Sequence, residues 1–405
     1  MSVLLIGTLD TKGAETAFVR DRLRAAGVAV TVLDAGVLGP PAFEPDVSRQ
    51  VVFALAGADS DEVKAAGDRG RAVSLAATGA AAFAEGMHRE GKLSGVLGLG
   101  GSAGTTIATA AMRALPVGVP KLVVSTLASG QVAPFVGARD VTMMHSVVDV
   151  AGLNRISRAV LANAAAAMAG MVQGAGDRGQ ETADKPVIAA TMFGVTTPCV
   201  DAARALLERA GYEVLVFHAT GTGGKTMEGL IRDGLVAGVL DITTTELADE
   251  LAGGVLSAGP DRLTAAGRVG IPQVISVGAL DMVNFGPPDT TPPRYADRRF
   301  YRHNANVTLM RTTPEENAAL GAELARKACS ATGRVAVMLP LRGVSAIDAV
   351  GKPFWWPEAD AALFAAVRAA MEPGEELVER DEHINDPAFA AACAGKLLEM
   401  LGART

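Results

Sequence analysis

The stretch Val96-Leu97-Gly98-Leu99-Gly100-Gly101-Ser102-Ala103-Gly104-Thr105-Thr106 decides the fold. Its first residues form a short apolar run, the mark of a strand buried on both faces. Ala-rich sequence follows from Ile107, so a helix opens directly behind the glycines. Strand, glycine turn and helix in that order make half of a βαβ unit. Glycines let backbone N–H groups approach an anion closely, and a helix N-terminus adds unpaired donors and the positive end of its dipole. Gly100, Gly101, Ser102, Gly104, Thr105 and Thr106 are therefore the expected phosphate cradle, the last two and Ser102 through their hydroxyls.

Outward from this stretch the same alternation recurs. Val3–Ile6 reads as a buried strand ending at Gly7, and Gly13–Ala26 as a helix closed by Gly27. Val28–Leu33 is a strand ending at Asp34, and Ser74–Glu90 a helix. Lys121–Ser125 and Val141–Met144 are further strands, and Asn154–Val172 is a long helix. Strands alternating with helices predict a parallel sheet covered on both faces. The polar run Gln173-Gly174-Ala175-Gly176-Asp177-Arg178-Gly179-Gln180-Glu181 then reads as a linker.

Beyond the linker the pattern returns in the same order. Val187–Met192 matches Val3–Ile6, Val214–His218 matches Val28–Leu33, and Leu235–Leu240 matches Leu93–Leu97. Gly270–Ser276 matches Gly118–Ser125, and Val307–Met310 matches Val141–Met144. The expected fold is α/β: two tandem Rossmann-like, doubly wound domains with mainly parallel sheets, arising by internal duplication. The domains are expected at 1–174 and 187–405, joined by a linker at 175–186. The part from about Gly343 onward has no counterpart in the first half.

Composition narrows the function. Of the 405 residues, 49% are hydrophobic but only 4% aromatic, so a large aliphatic core is available. The net charge of −7 argues against general nucleic-acid binding. Cys199, Cys329 and Cys393 are odd in number and far apart, which fits a reducing cytoplasm better than a disulfide framework. No apolar run is long enough to span a membrane.

The other strand-end loops supply further candidates, because ligands of parallel sheets bind at the carboxyl ends of strands. In Gly7-Thr8-Leu9-Asp10-Thr11-Lys12-Gly13, Thr8, Asp10, Thr11 and Lys12 are polar, and Lys12 offers a point charge for phosphate. Asp34 is placed either to hold ribose hydroxyls or to form an Asx-turn into Gly36. Ala219-Thr220-Gly221-Thr222-Gly223-Gly224-Lys225-Thr226 resembles a P-loop with Ala in the first Gly position. Its Gly223, Gly224 and Lys225 would hold phosphate, another anion, or only turn the chain. Asp241 ends the next strand and could hold Mg²⁺ or act as a base, while Thr243 and Glu246 fit a capping box. The histidines show no metal-ligand spacing; His303 and His383 fall in polar loops. The Pro-rich segment 286–294 reads as a lid, an oligomer arm or a connector.

Several of these segments together resemble a known family. They are Gly7–Gly13, Gly98–Ser102, Asp241-Ile242-Thr243-Thr244, His303-Asn304 with Val307–Thr313, and His383-Ile384-Asn385-Asp386-Pro387. They are similar to the uncharacterised bacterial and fungal family related to the N-terminal ATP-binding domain of the tomato mosaic virus resistance protein. The resemblance covers essentially the whole chain. It implies two Rossmann-like domains, an ATP site and a homodimer. Two positions depart from the pattern: Ala305 stands where relatives have Pro, and Trp356 stands where an acid is expected.

The sequence thus leads to a cytoplasmic protein binding ATP, with Mg²⁺ as an accompanying ion, in a cleft between the domains. Asp241, His303 and His383 are the candidates for chemistry on a second small molecule. ATP-dependent activation or phosphoryl transfer is the natural reaction class. The alternatives are an enzyme for a small acidic metabolite without ATP, and a non-catalytic nucleotide-responsive module.

Overall fold

The short apolar runs become parallel strands, because both faces of each are covered by helices. The computed structural model describes residues 1–175 and 185–402. The chain divides into two units, residues 1–182 and 183–405.

The first unit runs β1 (Ser2–Gly7), α1 (Leu9–Ala25), β2 (Val30–Asp34), α2 (Arg49–Leu55), α3 (Ser60–Ala66), α4 (Arg69–Arg89), β3 (Leu93–Gly100), α5 (Ser102–Arg113), β4 (Lys121–Ser125), α6 (Ala133–Val136), β5 (Thr142–His145) and α7 (Arg155–Ala175). Its five strands lie in the order β2-β1-β3-β4-β5, all parallel. Strand alternation divides the core in two. Leu4, Ile6, Val96 and Val123 face a cluster with α2, α4 and α5, whereas Val3, Leu5, Leu97 and Val124 face α1 and α7. Small residues allow the layers to approach: a Cβ on Gly98 would stand 2.2 Å from the Cβ of Ala108.

The second unit runs β6 (Val187–Met192), α8 (Thr197–Arg209), β7 (Glu213–His218), α9 (Thr222–Arg232), β8 (Gly238–Thr243), α10 (Glu246–Ala252), α11 (Ala265–Val269), β9 (Gln273–Gly278), β10 (Met282–Phe285), β11 (Phe300–Asn304), β12 (Val307–Arg311), α12 (Pro314–Cys329), β13 (Val335–Pro340), α13 (Pro357–Ala370), β14 (Glu376–Arg380) and α14 (Pro387–Met400). Six parallel strands take the order β7-β6-β8-β9-β13-β14. The protein is therefore an α/β molecule with two parallel sheets in two domains, as expected. In each unit the first five strands of the parallel sheet lie in the order second, first, third, fourth, fifth, the flavodoxin-type variant of the doubly wound plan, and the second unit adds β14 as a sixth at the edge.

Two expectations within the second unit are corrected. Val307–Met310 is not the counterpart of Val141–Met144. It is the middle of a separate antiparallel sheet, β10-β12-β11. The strand beside β9, in the place that β5 holds beside β4, is β13. An apolar run has the same look in either kind of sheet, so the sequence match could not tell them apart. Of the C-terminal part, α14 does have a counterpart, since it packs on α8 as α7 packs on α1, whereas α13 and β14 have none among the described residues.

The Pro-rich segment is a fitted connector between β10 and β11. The hydroxyl of Tyr295 donates to the carbonyl of Ala252 at 2.8 Å, and its ring packs 5.9 Å from Phe285. Gln173, Gly174 and Ala175, read as linker, are the last residues of α7; residues 176–184 lie outside the described residues. Among the described residues no helix is long and apolar enough to cross a membrane.

Candidate functional site

In the first unit, β1 and β3 are adjacent but their following helices go to opposite faces of the sheet. The loops diverge at that point and leave a crevice at the strands' carboxyl ends. A cavity of about 540 Å³ occupies it, lined entirely by residues of this unit. The loop after β1 contributes Thr8, Asp10, Thr11 and Lys12, and the loop after β3 contributes Gly100, Gly101, Ser102 and Gly104. The structure thus brings together eight residues from two loops that the sequence singled out separately.

The glycine turn is shaped by close approach. Gly100 has φ +154°, and a Cβ on Gly104 would stand 2.8 Å from the carbonyl oxygen of Leu99. Gly101 is the N-cap of α5 and no side chain caps this helix. A Cβ at Gly101 would meet only the Thr126 hydroxyl, at 3.6 Å. The first turn of α5 therefore presents its backbone donors to open space in the cavity, the arrangement that suits an anion.

Three other expected ligands have structural duties. The Asp34 carboxylate is buried; it accepts from the backbone N–H of Leu9 at 3.0 Å and of Gly36 at 2.9 Å, and from Arg49 Nε at 2.8 Å. The turn into Gly36 is thus the role it fills. The hydroxyl of Thr105 is buried against Ser125 Oγ at 2.7 Å, and that of Thr106 donates back to the Ser102 carbonyl at 2.9 Å. None of the three lines the cavity.

Sequence reasoning missed Lys64, Arg69 and Asp149, which also line the cavity. Lys64 and Arg69 flank Gly67, which has φ +67° and ends α3, and Asp68, which caps α4 by accepting from Arg71 N–H at 3.0 Å. A left-handed stop followed by a capping acid is a legible helix–helix corner. No comparable signal marks Asp149.

The charges in the cavity are not balanced internally. Among the described residues the Lys12, Lys64 and Arg69 side chains have no hydrogen-bond or ion-pair partner. Asp10 is committed to the backbone N–H groups of Leu38 at 2.7 Å and Gly39 at 3.2 Å, and Asp68 to its cap. Asp149 alone among the three carboxylates lacks a partner. Three unpaired cations thus face one unpaired carboxylate. Apolar residues Val37, Val63, Ala72, Val73 and Ile107 complete the walls.

The P-loop-like turn of the second unit is already filled by the protein itself. Glu246 Oε1 accepts from the N–H groups of Gly221 at 2.6 Å and Gly224 at 3.1 Å. A Cβ on Gly224 would fall 2.2 Å from the same carboxylate. Glu246 is therefore not a helix cap paired with Thr243; it is the resident anion of the loop. Gly223 is needed for packing, since its Cβ would meet the His218 carbonyl oxygen at 1.9 Å, and Lys225 is exposed.

Asp241 belongs to the same buried network. Arg262 donates to it twice, Nη1 at 2.7 Å and Nη2 at 2.6 Å, and also donates to Glu246 from Nε at 2.6 Å. Thr191 Oγ1 donates to Asp241 at 2.7 Å. Burial disfavours the Arg262 charge, yet Asp241, Glu246 and Glu228 together hold its pKa well above the ordinary value. Fully buried and fully hydrogen-bonded, Asp241 is not available as a base or Mg²⁺ ligand.

His303 lies in β11, not in a loop, and is exposed. His383 is a clamp: its Nδ1 accepts from Asn385 N–H at 3.1 Å, which leaves the proton on Nε2 to donate to the Ser345 carbonyl at 3.0 Å. Among the described residues no group of three or more His, Cys, Asp or Glu side chains is arranged to hold a metal.

Comparison with known proteins follows this division. Residues 1–177 match the domain described as Uncharacterised protein family (UPF0261) N-terminal domain, and residues 185–401 match its C-terminal domain. The chain belongs to the UPF0261 family. A UPF0261 protein of Clostridium tetani is 48% identical over 400 residues, covering 98% of each chain. One of Rhizobium meliloti is 49% identical over 394 residues, covering 96% of each. The ToMV resistance protein Tm-1(GCR237) of Solanum lycopersicum is 42% identical over 418 residues, which cover 98% of this chain and 55% of the tomato protein. This UPF0261 chain is thus homologous to part of a longer plant protein along nearly its whole length.

Proposed function

We propose that this chain binds ATP, or a related polyphosphate ligand, in the cavity of its first unit. The carrying observation is the pairing of an uncapped α5 N-terminus at Gly101 with Lys12, Lys64 and Arg69, none of which has a partner among the described residues. Unpaired cations beside free backbone donors suit a ligand with several negative charges. The volume falls in the ordinary range for small-ligand sites, and the Val37–Val73 side of the wall suits an apolar base. Gly100–Gly104 would hold phosphate oxygens through backbone N–H groups, and Lys12 would neutralise charge. The ATP site implied by the sequence resemblance agrees with this reading.

The second unit supports no matching role, because Glu246 takes the place an anion would fill. Asp241 is taken up by a buried network and His383 by part-buried hydrogen bonds, so neither is offered for chemistry there. The reading is therefore nucleotide binding, with any second reactant meeting the nucleotide at the first unit's cavity.

Thermal unfolding with added ligand tests it. Ligand at about 100 times its Kd stabilises the binding state by about 2.7 kcal/mol. ATP and tripolyphosphate should both raise the midpoint, and adenosine much less. A midpoint unmoved by millimolar ATP and tripolyphosphate would contradict the proposal.

A further inference from the structure

Three buried aspartates of the second unit meet around one arginine. Asp281 follows β9, Asp348 stands in the segment 341–356 after β13, and Asp360 is in the first turn of α13. Asp281, Asp348 and Arg311 are fully buried, and Asp360 nearly so. Arg311, the last residue of β12, donates from Nη2 to Asp360 Oδ1 at 2.6 Å, and the same nitrogen lies 3.7 Å from Asp348 Oδ1. Its Nε donates to the Phe354 carbonyl at 2.7 Å. Three carboxylates thus share one guanidinium, and the excess negative charge is cut off from solvent.

The hydrogen bonds show how that excess is met. Asp281 Oδ2 accepts from Ser345 Oγ at 2.8 Å, and Asp348 Oδ2 accepts from Val344 N–H at 3.0 Å. Asp281 Oδ1 and Asp348 Oδ1 accept from no donor among the described residues. Asp348 and Asp360 are nevertheless within hydrogen-bonding reach of each other. Two carboxyl groups make that contact only with a proton between them. The missing donor is therefore a proton held by the cluster itself. Burial, and after it the charge of Asp348, push Asp281 up to about 8 and Asp360 up to about 7 against the opposing pull of Arg311.

The ties of the cluster converge on one segment. Ser345, Asp348 and Phe354 all belong to 341–356, and they fasten it to Asp281 and Arg311. We propose that Asp281, Asp348 and Asp360 form a proton-held latch, which closes the segment 341–356 onto the ends of β9 and β12 and releases it as pH rises. With the segment open, these acids lose their protons near pH 4; closed, they keep them to about pH 7–8. The closed state therefore loses its advantage through that window, as carboxylates left without protons repel one another. His383 reaches the segment from another side, through the Ser345 carbonyl. Charging its ring breaks the bond from Asn385 N–H and acts as pH falls, the opposite direction. Arg342 and Lys352, on the segment itself, are exposed. The latch belongs to the second unit and does not rest on the nucleotide reading.

The chain's two tryptophans, Trp355 and Trp356, both lie on this segment, so their fluorescence reports it alone. The Trp356 ring stands 6.0 Å from the Arg311 guanidinium and 5.0 Å from that of Arg299. The test is tryptophan emission of the full chain from about pH 5 to 9, with far-UV circular dichroism alongside, for wild type, Asp281→Asn and Asp348→Asn. A carboxamide keeps the accepting oxygen and adds a permanent donor in place of the acid proton. Wild-type emission should move to longer wavelength as pH rises, with a midpoint between about 7 and 8 and constant circular dichroism. Asp281→Asn should hold the low-pH emission to the top of the range. Asp348→Asn should do the same, which gives a second reading if the first variant folds poorly. Emission unchanged with pH in wild type would overturn the latch. A shift of equal size and midpoint in both variants would assign it to other groups and overturn the latch too. So would a shift that the circular dichroism follows, since that is unfolding of the unit and not release of a segment, or one that appears only as pH falls, which would belong to His383.

Discussion

At the scale of single residues, the second unit is governed by buried charges whose partners are all internal. Arg262 compensates Asp241, Glu246 and Glu228 at once. Removing it leaves uncompensated buried carboxylates, and breaking a buried pair in this way costs about 3–5 kcal/mol. Arg262→Met should therefore destabilise the second unit by that amount, seen as a lower urea midpoint. The acids differ in kind. Burial, reinforced by Asp348, pushes Asp281 up to about 8; burial, reinforced by Glu246, outweighs the bonds from Asn284 and Leu256 and pushes Asp249 up to about 7. Unfolded, such groups release their protons near pH 4. Between about pH 4 and 8 the folded chain holds protons that the unfolded chain has lost, so stability falls as pH rises through this window. Asp281→Asn should shrink the fall, which urea midpoints at pH 5 and pH 8 will measure. A fall of undiminished size would mean that Asp281 is not the titrating group. Of all these residues, only Asp241 and Glu246 stood out in the sequence, and for the wrong work. An acid three residues after a threonine reads as a capping box whether it serves its own helix or reaches across to another loop. Only the tertiary position of Arg262 distinguishes the two.

At the scale of elements, the strand–glycine–helix pattern was legible because local chemistry and burial agree there. Lys121–Ser125 and Val187–Met192 emerge with the boundaries the sequence suggested. The second sheet's register with the first was less legible, because β10 to α12 are inserted between β9 and β13 and the nearest apolar run, β12, belongs to another sheet. The helix around Ser74 begins earlier, at Arg69, since Asp68 caps it. That helix depends on one close approach. A Cβ on Gly79 in α4 would stand 1.8 Å from the Val52 carbonyl oxygen in α2, a backbone atom that cannot turn aside. Gly79→Ala should separate α2 from α4 and destabilise the first unit by about 1–3 kcal/mol, as overpacking does. Because α4 also carries Arg69 to the cavity, the same variant should weaken ATP binding. An unchanged denaturation midpoint would show that the two helices are free to shift apart.

At the scale of the whole molecule, each unit has hydrophobic clusters built from its own residues. Each has its own sheet and its own answer at the carboxyl ends of the strands. Among the described residues, the first leaves an α5 N-terminus and three cations unpaired; the second fills the glycine turn after β7 with its own glutamate. Differential scanning calorimetry should resolve two transitions, with ATP raising one and leaving the other in place. One transition that moves as a whole would mean that the units unfold together. The central claim, that polyphosphate binds at the glycine loop of the first unit, is tested most directly by titrating ATP into wild type and Gly101→Asp in parallel. Aspartate fits at this position, because a Cβ there meets nothing closer than 3.6 Å, but its charge would face the phosphates. The account predicts micromolar binding by wild type and its loss in a variant that keeps the wild-type melting profile. Equal binding by both proteins would contradict it.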